Sequence, residues 1–281
     1  MNRGGGVSDP VTLARTGLLD ALEALKAHLD ALVVVGAQAI YLHTGAAEVA
    51  LAEYTTDGDL AVDPDSLGSD PRVEAAMIAA HFEADPRDHA VGTWISPRGV
   101  PVDLMVPEAV AGLGSRAASV PPHDRKAMRR ARGLEAALVD NTRMMIRALD
   151  VSADSREFEV AVAGPAALLV AKLHKIQDRI DQPSRLDNKD AHDIYRVLRS
   201  IDTEVLAVAT HGLLNARLSR AVTLEALEHL ERLFAAGSRA VGSRMAGAAE
   251  ELVGDPATVS ESVALLAQDL RDALNARQHE G

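Results

Sequence analysis

The spacing of apolar and polar residues divides the chain into a mixed first part and a helical second part. Leucines at intervals of three and four residues predict an amphipathic helix over 11–30. A short β-branched run then predicts a strand over 31–35, which ends at Gly36 and gives way to a helix over 37–43. Alternating positions predict the next strand over 54–62.

The mixture of helix and strand patterns continues as far as residue 163. Turn residues at 96–99 lie between two apolar runs, which is typical of a β-hairpin. The predicted elements are a helix over 72–81, a hairpin over 92–106, a basic stretch with a short helix over 112–135, and strands over 138–146 and 158–162. A mixed β-sheet with flanking helices is therefore expected.

Gly164 and Pro165 mark the predicted boundary between the two parts, because proline is favoured in the first turn of a helix. Beyond them apolar residues recur only at helical spacings. The predicted helices cover 166–180, 187–199, 203–219, 223–252 and 258–277. The expected fold class is α+β, with a flexible N-terminus over 1–10, an α/β domain over 11–163 and an all-helical C-terminal domain over 164–281.

Composition narrows the class of protein. Of the 281 residues, 47% are apolar but only 2% are aromatic, so the core has to be aliphatic. The absence of cysteine excludes disulfides, thiolate metal sites and a cysteine nucleophile. The N-terminus lacks a signal-peptide pattern, and no apolar run reaches the roughly 20 residues that span a bilayer. We therefore expect a soluble, cytoplasmic protein with no membrane contact.

The chain is acidic, with a formal net charge of -12. This charge argues against a protein that coats nucleic acid through a general basic surface, although a local basic groove is compatible with it. Six basic residues form a local cluster in the sequence, namely Arg116, Arg125, Lys126, Arg129, Arg130 and Arg132. This cluster is the segment we expect to contact nucleic-acid phosphates.

Three aspartates have the pattern of a metal site. Asp57 and Asp59 lie two positions apart in a predicted strand, so their side chains point to the same face. Asp103 interrupts the apolar run Val102-Asp103-Leu104-Met105-Val106. Each acid taken alone is also compatible with a solvated surface position. Together they predict a site for Mg²⁺ or Mn²⁺, because these cations prefer carboxylate oxygens.

A possible phosphate site precedes the acids in the segment Val33-Val34-Val35-Gly36-Ala37-Gln38. Its strand, glycine and helix start would expose backbone amides that can receive a phosphate. The second and third glycines of a dinucleotide-binding turn are missing, and the chain has no P-loop, G-x-S-x-G or H-E-x-x-H motif.

The lysines are few and clustered. The chain has only five lysines against twenty-four arginines, and Lys172, Lys175 and Lys189 fall within eighteen residues. Lys172, Lys175 and Arg179 share one face of a predicted helix, and such a face can neutralise phosphate oxygens. A solvated basic face is the alternative.

Asp190 and Asp193 lie three positions apart on the next predicted helix. They either orient Lys172 or Lys189 by ion pairs within the site, or form a salt bridge whose role is only structural. His174 and His192 lie beside these residues and are expected to be structural rather than catalytic.

In this order the residues resemble the nucleotidyltransferase fold of the DNA polymerase β superfamily. That family has a strand, a Gly-Ser or Gly-Gly turn, a helix, a D-x-D strand and a third acid. The matching segments are Gly36-Ala37, Thr55-Thr56-Asp57-Gly58-Asp59-Leu60 and Val102-Asp103-Leu104. Ala37 stands where the family usually has Ser or Gly, and the gap from Gly36 to Asp57 is longer, with a loop expected over 45–53.

The second part of the chain is similar to the AbiEii or MenT type, which are toxins of bacterial toxin–antitoxin and phage-defence systems. The similarity is carried by Val170-Ala171-Lys172-Leu173-His174-Lys175 and Asn188-Lys189-Asp190-Ala191-His192-Asp193. The whole resemblance covers about 31–199, and the remaining C-terminal residues match only in being helical.

The resemblance implies transfer of a nucleotide from an NTP to an acceptor hydroxyl, with Mg²⁺ or Mn²⁺ as cofactor. It implies Asp57, Asp59 and Asp103 as metal ligands, which with Lys172 form the catalytic set. The nucleotide-binding residues that it implies are Gly36, Ala37, Thr56, Lys172, Lys175, Lys189, Asp190 and Asp193.

The implied acceptor is RNA, at the 3′ end of tRNA, and the implied protein partner is a cognate antitoxin. Two alternatives stay open. The first is transfer to a small molecule or a protein, and the second is a non-catalytic nucleotide-binding or antitoxin-type protein. The sequence does not decide which NTP is used.

Overall fold

A computed structural model describes residues 9–45, 56–87, 90–182, 185–252 and 254–280, and within them eight strands form one mixed sheet. The strands are β1 (Leu32–Val35), β2 (Gly58–Val62), β3 (Glu83–Ala84), β4 (Thr93–Ile95), β5 (Pro101–Pro107), β6 (Arg129–Ala131), β7 (Asn141–Arg147) and β8 (Glu157–Ala163). Their order in the sheet is β3-β4-β5-β2-β1-β8-β7, with β6 paired to β5.

The centre of the sheet combines both kinds of strand pairing. β1 runs antiparallel to β2 and parallel to β8, and β2 runs parallel to β5. The β4–β5 pair is the predicted hairpin around 96–99, and it is antiparallel. The α/β class with a mixed, open sheet is therefore confirmed for the first part of the chain.

Helices flank the sheet and make up the second part. They are α1 (Pro10–Ala24), α2 (Gly36–Thr44), α3 (Val73–Ala79), α4 (Pro165–Gln177), α5 (Asn188–Ser200), α6 (Thr203–Asn215), α7 (Arg220–Leu230), α8 (Val241–Ala248) and α9 (Pro256–Glu280). Among the described helices, none combines the length and the apolar character that crossing a bilayer requires.

Some predicted helices and strands begin or end at other residues in the structure. The segment 11–30, expected to be one helix, consists of α1, which ends at Ala24, and a separate 3-10 helix over Lys26–Ala31. The strand expected over 54–62 begins at Gly58. Residues 1–8 of the expected flexible N-terminus, and residues 46–55 with most of the expected loop, lie outside the described residues.

Two predicted helices are wrong. The helix expected over 223–252 is divided into α7, a π-helical turn over Glu231–Ala235 and α8, because Gly237 has a φ of 115° between them. The basic stretch contains β6 and a 3-10 helix over Leu134–Leu138. β4 pairs with residues 101–103 of β5, and β6 pairs with residues 105–107. Backbone hydrogen bonds to this otherwise unpaired part of β5 therefore outweigh the local preference of the basic stretch for a helix.

One aliphatic core joins the sheet to the C-terminal helices. β1 is buried along its whole length. Leu168 and Leu173 of α4 belong to the same buried cluster as Val34 of β1 and Leu60 of β2. Close packing of this kind leaves little room for α4 to shift relative to the central strands.

The start of α4 is fixed by a carboxylate from outside the helix. Asp140 Oδ2 accepts a hydrogen bond from the Ala167 backbone N–H at 3.1 Å. A Cβ at Gly164 would come within 2.1 Å of Asp140 Oδ1, so this approach requires glycine. The carboxylate satisfies an amide at the positive end of the helix dipole and thereby sets the position of Lys172 two turns later.

Candidate active site

Gly36 connects the central strand β1 to α2 and lies directly against Asp59. The antiparallel register places Val35 opposite Asp59, which brings the aspartate beside the start of α2. Gly36 has a φ of 70°, and a Cβ there would be 2.0 Å from Asp59 Oδ2. Glycine is therefore required both by the backbone conformation and by the closeness of the carboxylate.

We expect Gly36→Ala to displace Asp59 and to destabilise the fold. The left-handed conformation of a non-glycine residue costs roughly 1–2 kcal/mol, and relief of the clash adds to that cost. Urea unfolding of the purified variant measures the loss. Gly99→Ala is the matched control, because Gly99 has a φ of 79° but open space around its Cβ position. Equal losses in the two variants would contradict a special contact at Gly36.

Asp59 and Asp103 lie opposite each other on the parallel strands β2 and β5. Cross-strand partners in register point to the same face of a sheet. Asp57 directly precedes β2, two positions before Asp59, and its side chain is partly buried. The structure therefore places Asp59 and Asp103 side by side on two interior strands, with Asp57 just before the first of them and the start of α2 beside Asp59.

The three carboxylates interact electrostatically. Burial of the Asp59 carboxyl, together with the negative charges of Asp57 and Asp103, raises its pKa to about 7. The positive charges of Lys175 and Lys172 act in the opposite direction. The two lysines thus compensate the charged form of Asp59 only in part, and a bound cation would add to that compensation.

We expect divalent-cation binding to strengthen as pH rises toward 7. Below that pH the cation has to displace a proton from Asp59, so the apparent affinity falls by up to about tenfold per pH unit. Isothermal titration with Mn²⁺ at pH 6 in buffers of different ionisation enthalpy measures the released proton. Release of close to one proton at pH 6 and little at pH 8 is expected. A proton count that does not change with pH would contradict the raised pKa.

Asp103 already has two partners. Thr93 of β4 donates its hydroxyl to Asp103 Oδ1 at 2.6 Å, and Arg129 Nη2 of β6 donates to Oδ2 at 2.9 Å. The Arg129 side chain keeps 34% of its surface exposed. Thr93, for which the sequence predicted no role, and Arg129 of the predicted basic cluster therefore hold the third acid in place, and Arg129 partly neutralises it.

The three acids have the oxygen donors that a divalent cation prefers, but their side chains do not form a closed coordination site. Within the described residues, no group of three or more histidine or acidic side chains is gathered closely enough to hold a metal ion. Hard carboxylate oxygens in a site of raised pKa are nevertheless the donors that Mg²⁺ and Mn²⁺ prefer. Asp57, Asp59 and Asp103 are the residues that could hold such an ion, with Asp103 exchanging Arg129 for it.

A second charged cluster lies between α4 and α5 and contains the predicted lysine face. Lys172 Nζ is 2.7 Å from Asp190 Oδ1 and 2.6 Å from Asp193 Oδ2. Lys175 and Arg179 also pair with Asp190, at 2.9 and 3.4 Å. The predicted common helix face is therefore confirmed for Lys172 and Lys175, while Arg179 lies in the turn just after α4 and reaches the same aspartate.

The three central side chains of this cluster are buried. The side chains of Lys172, Asp190 and Asp193 are 8%, 3% and 3% exposed. Burial lowers the pKa of Lys172, but the two aspartates outweigh that effect and hold it well above its ordinary value. Burial likewise raises the pKa of Asp190, and the charges of Lys172 and Lys175 outweigh it, so the net shift is downward. Lys172 therefore keeps its positive charge and forms ion pairs with the two aspartates.

Lys175 is the more accessible cation of the pair. Its side chain is 40% exposed. Among the lysine charges that lower the Asp59 pKa, that of Lys175 has the larger effect. Lys175 is therefore better placed than Lys172 to meet an anionic ligand beside the three acids.

The remaining predicted nucleotide contacts, Ala37, Thr56 and Lys189, are sequence neighbours of Gly36, Asp57 and Asp190. Ala37 is buried in the first turn of α2, and in the part of the chain that the structure describes no side chain caps this helix. Thr56 is exposed and directly precedes Asp57. Lys189 lies in the first turn of α5, where its backbone N–H donates to Asp187.

Tyr41 of α2 connects the two charged clusters, and sequence analysis missed it. Burial and the charges of Asp193 and Asp57 raise its pKa to about 12, against the opposing effect of Arg196 and Lys172. The Arg196 guanidinium lies over the ring at 5.0 Å from its centroid. The available signal was weak, since Tyr41 is one of three tyrosines and lies on the same helix as the predicted phosphate site.

The basic cluster is mostly engaged within the protein. Arg132 pairs with Glu108 and with both oxygens of Glu225. Arg130 donates to backbone carbonyls, and Arg125 donates to the carbonyl of Leu113. Acidic and carbonyl partners from distant elements thus take up several donors of these three arginines, and their expected contact with nucleic-acid phosphates stays a prediction.

The two histidines near the lysines have structural partners. His174 Nε2 lies 2.8 Å from the Val222 carbonyl, and His192 Nε2 lies 2.8 Å from Glu250 Oε1. Both pairs are buried, as expected for structural histidines.

A surface cavity of about 320 Å³ lies between α1 and the β7–β8 turn, and neither the three acids nor the lysines line it.

Comparison with known proteins gives no relative. No protein-family model, no curated protein and no solved structure matches the chain. Function is therefore inferred from the residues and their arrangement.

Proposed function

We propose that this chain is a metal-dependent nucleotidyltransferase of the DNA polymerase β superfamily, of the AbiEii or MenT type. The observation that carries the proposal is the pairing of Asp59 with Asp103 across parallel strands, beside a strand–glycine–helix turn. The chain order of strand, glycine, helix, aspartate strand and third acid, on which the resemblance to that superfamily rests, supports it further. The raised pKa of Asp59 supports a cation site there.

Each residue has a role in the proposed reaction. Asp57, Asp59 and Asp103 hold Mg²⁺ or Mn²⁺, which when bound would neutralise triphosphate charge and favour ionisation of the attacking hydroxyl. Lys175 presents a positive charge to the triphosphate of the NTP, and Lys172 shapes the wall behind it. The uncapped amides at the start of α2 are available to a phosphate group.

The acceptor and the partner are proposed on the resemblance alone. The acceptor class is an RNA 3′ end, of tRNA in the first instance, and the protein partner is a cognate antitoxin. Transfer to a protein or small-molecule hydroxyl is the alternative acceptor class. A cytoplasmic location belongs to the same proposal.

A non-catalytic nucleotide-binding protein is the second candidate, and one observation favours it. Arg129 already occupies one oxygen of Asp103 at 2.9 Å, in the place where a cation would have to bind. If that ion pair is permanent, the acids would form a structural cluster that binds a nucleotide without transferring it.

Incubation with labelled nucleotides separates these candidates. Purified protein is mixed with each of the four labelled NTPs, Mg²⁺, and either total RNA or total protein as acceptor, and the label is followed into the acceptor. Asp57→Ala is the test variant, and Asp65→Ala is the matched control, because Asp65 is an exposed aspartate in the turn after β2.

Label in RNA that Asp57→Ala abolishes and Asp65→Ala preserves is the expected result. Label in protein alone would move the acceptor to the alternative class. Retention of NTP by the protein without label in either acceptor would favour the non-catalytic candidate, and absence of both would refute the proposed function.

A further inference from the structure

Two buried polar side chains connect α1 to the first acid of the site. Arg15 of α1 and Gln38 of α2 are 7% and 3% exposed. Arg15 Nε donates to Gln38 Oε1 at 2.8 Å. Gln38 Nε2 in turn donates to the backbone carbonyl of Asp57 at 3.1 Å. The result is a continuous path of hydrogen bonds from α1 to the main chain at Asp57.

The chemistry of the two side chains fixes the direction of this path. A guanidinium only donates hydrogen bonds, so the oxygen of the Gln38 amide has to face Arg15. The amide nitrogen then faces Asp57, where a carbonyl accepts its proton. Exchange of the amide nitrogen and oxygen would place two donors together on one side and two acceptors together on the other. Gln38 is therefore held in one orientation.

Arg15 is itself anchored to the sheet. Its Nη1 donates to the carbonyl of Arg147, at the end of β7, at 2.9 Å. Among residues 9–45, 56–87, 90–182, 185–252 and 254–280, no carboxylate forms an ion pair with Arg15, and both of its partners are neutral oxygens. A buried cation without a counter-charge is costly for stability, and a methionine could fill similar space without that cost.

We propose that Arg15 and Gln38 are positioning residues that fix the main chain at Asp57 and so aim the first carboxylate at the cation. The inference rests on the proposed function, since it assigns these residues to the same metal site. They act only through the Asp57 main chain, and the structure places neither of them among the three acids. Removal of the Gln38 side chain leaves the Asp57 carbonyl without this buried donor, and removal of Arg15 leaves the Gln38 amide without the partner that fixes its orientation.

The test uses the full-length protein and Mn²⁺ alone as the probe, followed by electron paramagnetic resonance. Arg15→Met and Gln38→Met are expected to weaken Mn²⁺ binding by about tenfold, as is usual for residues that orient metal ligands. For Arg15→Met, the direction of the change in Mn²⁺ affinity distinguishes two explanations. If Arg15 acted only through its charge, its removal would strengthen cation binding, whereas loss of positioning weakens it.

Ser219→Ala is the control, because Ser219 is equally buried and bonds to a backbone carbonyl, that of Leu213, in the C-terminal helices. It is expected to lower thermal stability through the loss of this buried hydrogen bond and to leave Mn²⁺ binding unchanged. Hydrogen–deuterium exchange over 57–62 gives a second readout that requires no metal. Exchange there should accelerate in both test variants and stay unchanged in Ser219→Ala.

The outcomes separate this inference from the proposed function. Weaker Mn²⁺ binding with faster exchange over 57–62 would support it. Unchanged or tighter binding, or unchanged exchange, would overturn it. If the wild-type protein binds no Mn²⁺, the proposed function fails, and exchange over 57–62 alone then decides whether Arg15 and Gln38 hold the main chain at Asp57.

Discussion

Asp59→Asn is expected to abolish nucleotide transfer while leaving the protein folded. The substitution keeps the shape of the side chain but removes the negative charge that faces Asp57 and Asp103. A metal ligand of this kind contributes several kcal/mol to the transition state, which corresponds to a loss of at least about a thousandfold in rate. Single-turnover transfer from labelled NTP measures the effect, and Asp65→Asn, at an exposed position, is the control.

The same variant is expected to unfold at a higher temperature than the wild type at pH 8. The Asp59 pKa is about 7 in the folded protein against an ordinary value of 3.8. Ionisation therefore opposes folding, and the stability that the protonated carboxyl contributes at low pH is lost as pH rises from about 4 toward 7. An asparagine avoids that loss. Thermal unfolding at pH 5 and pH 8 measures it, and a variant less stable than wild type at pH 8 would argue against a functional origin of the raised pKa.

Lys172→Met is expected to have the largest effect on stability. It leaves Asp193 without the cation at 2.6 Å, and leaves Asp190 with only Lys175 and Arg179. Breaking a buried ion pair from one side costs about 3–5 kcal/mol, because the remaining charge stays buried. Equilibrium unfolding in urea measures the loss.

Two further variants test the cause of that loss. Lys175→Met removes a lysine whose side chain is 40% exposed, and a cost below about 1 kcal/mol is expected. Adding Asp193→Asn to Lys172→Met removes the orphaned charge and should restore part of the stability. A double variant no more stable than Lys172→Met would show that packing, and not charge, dominates at this position.

Lys172→Met also separates two roles of the lysine cluster. Where the variant is still folded, loss of Lys172 should reduce transfer because Asp190, which pairs with Lys175, then loses its buried partner Lys172. Lys172 pairs with Asp190 and Asp193 and not with Asp59 or Asp103, so Mn²⁺ binding should be retained. Thus the variant distinguishes the nucleotide side of the site from its metal side.

The periodic patterns of the sequence determined most of the central elements. The strand–glycine–helix segment around Gly36, the hairpin around 96–99 and the helices α4 and α5 all occur where these patterns predict them. Each depends on contacts between residues a few positions apart. For the same reason the shared face of Lys172 and Lys175 was predictable, since three-residue spacing suffices to place side chains together on a helix.

The sequence by itself thus determined which residues are candidates for the chemistry, and the tertiary structure decided what each one faces. The strand register set Asp59 opposite Asp103, and the packing of distant elements paired Arg129 with Asp103 and Arg15 with Gln38. These pairs are separated by 26 and 23 residues. No local period relates positions so far apart, because their contacts depend on strand order and on how the helices pack against the sheet.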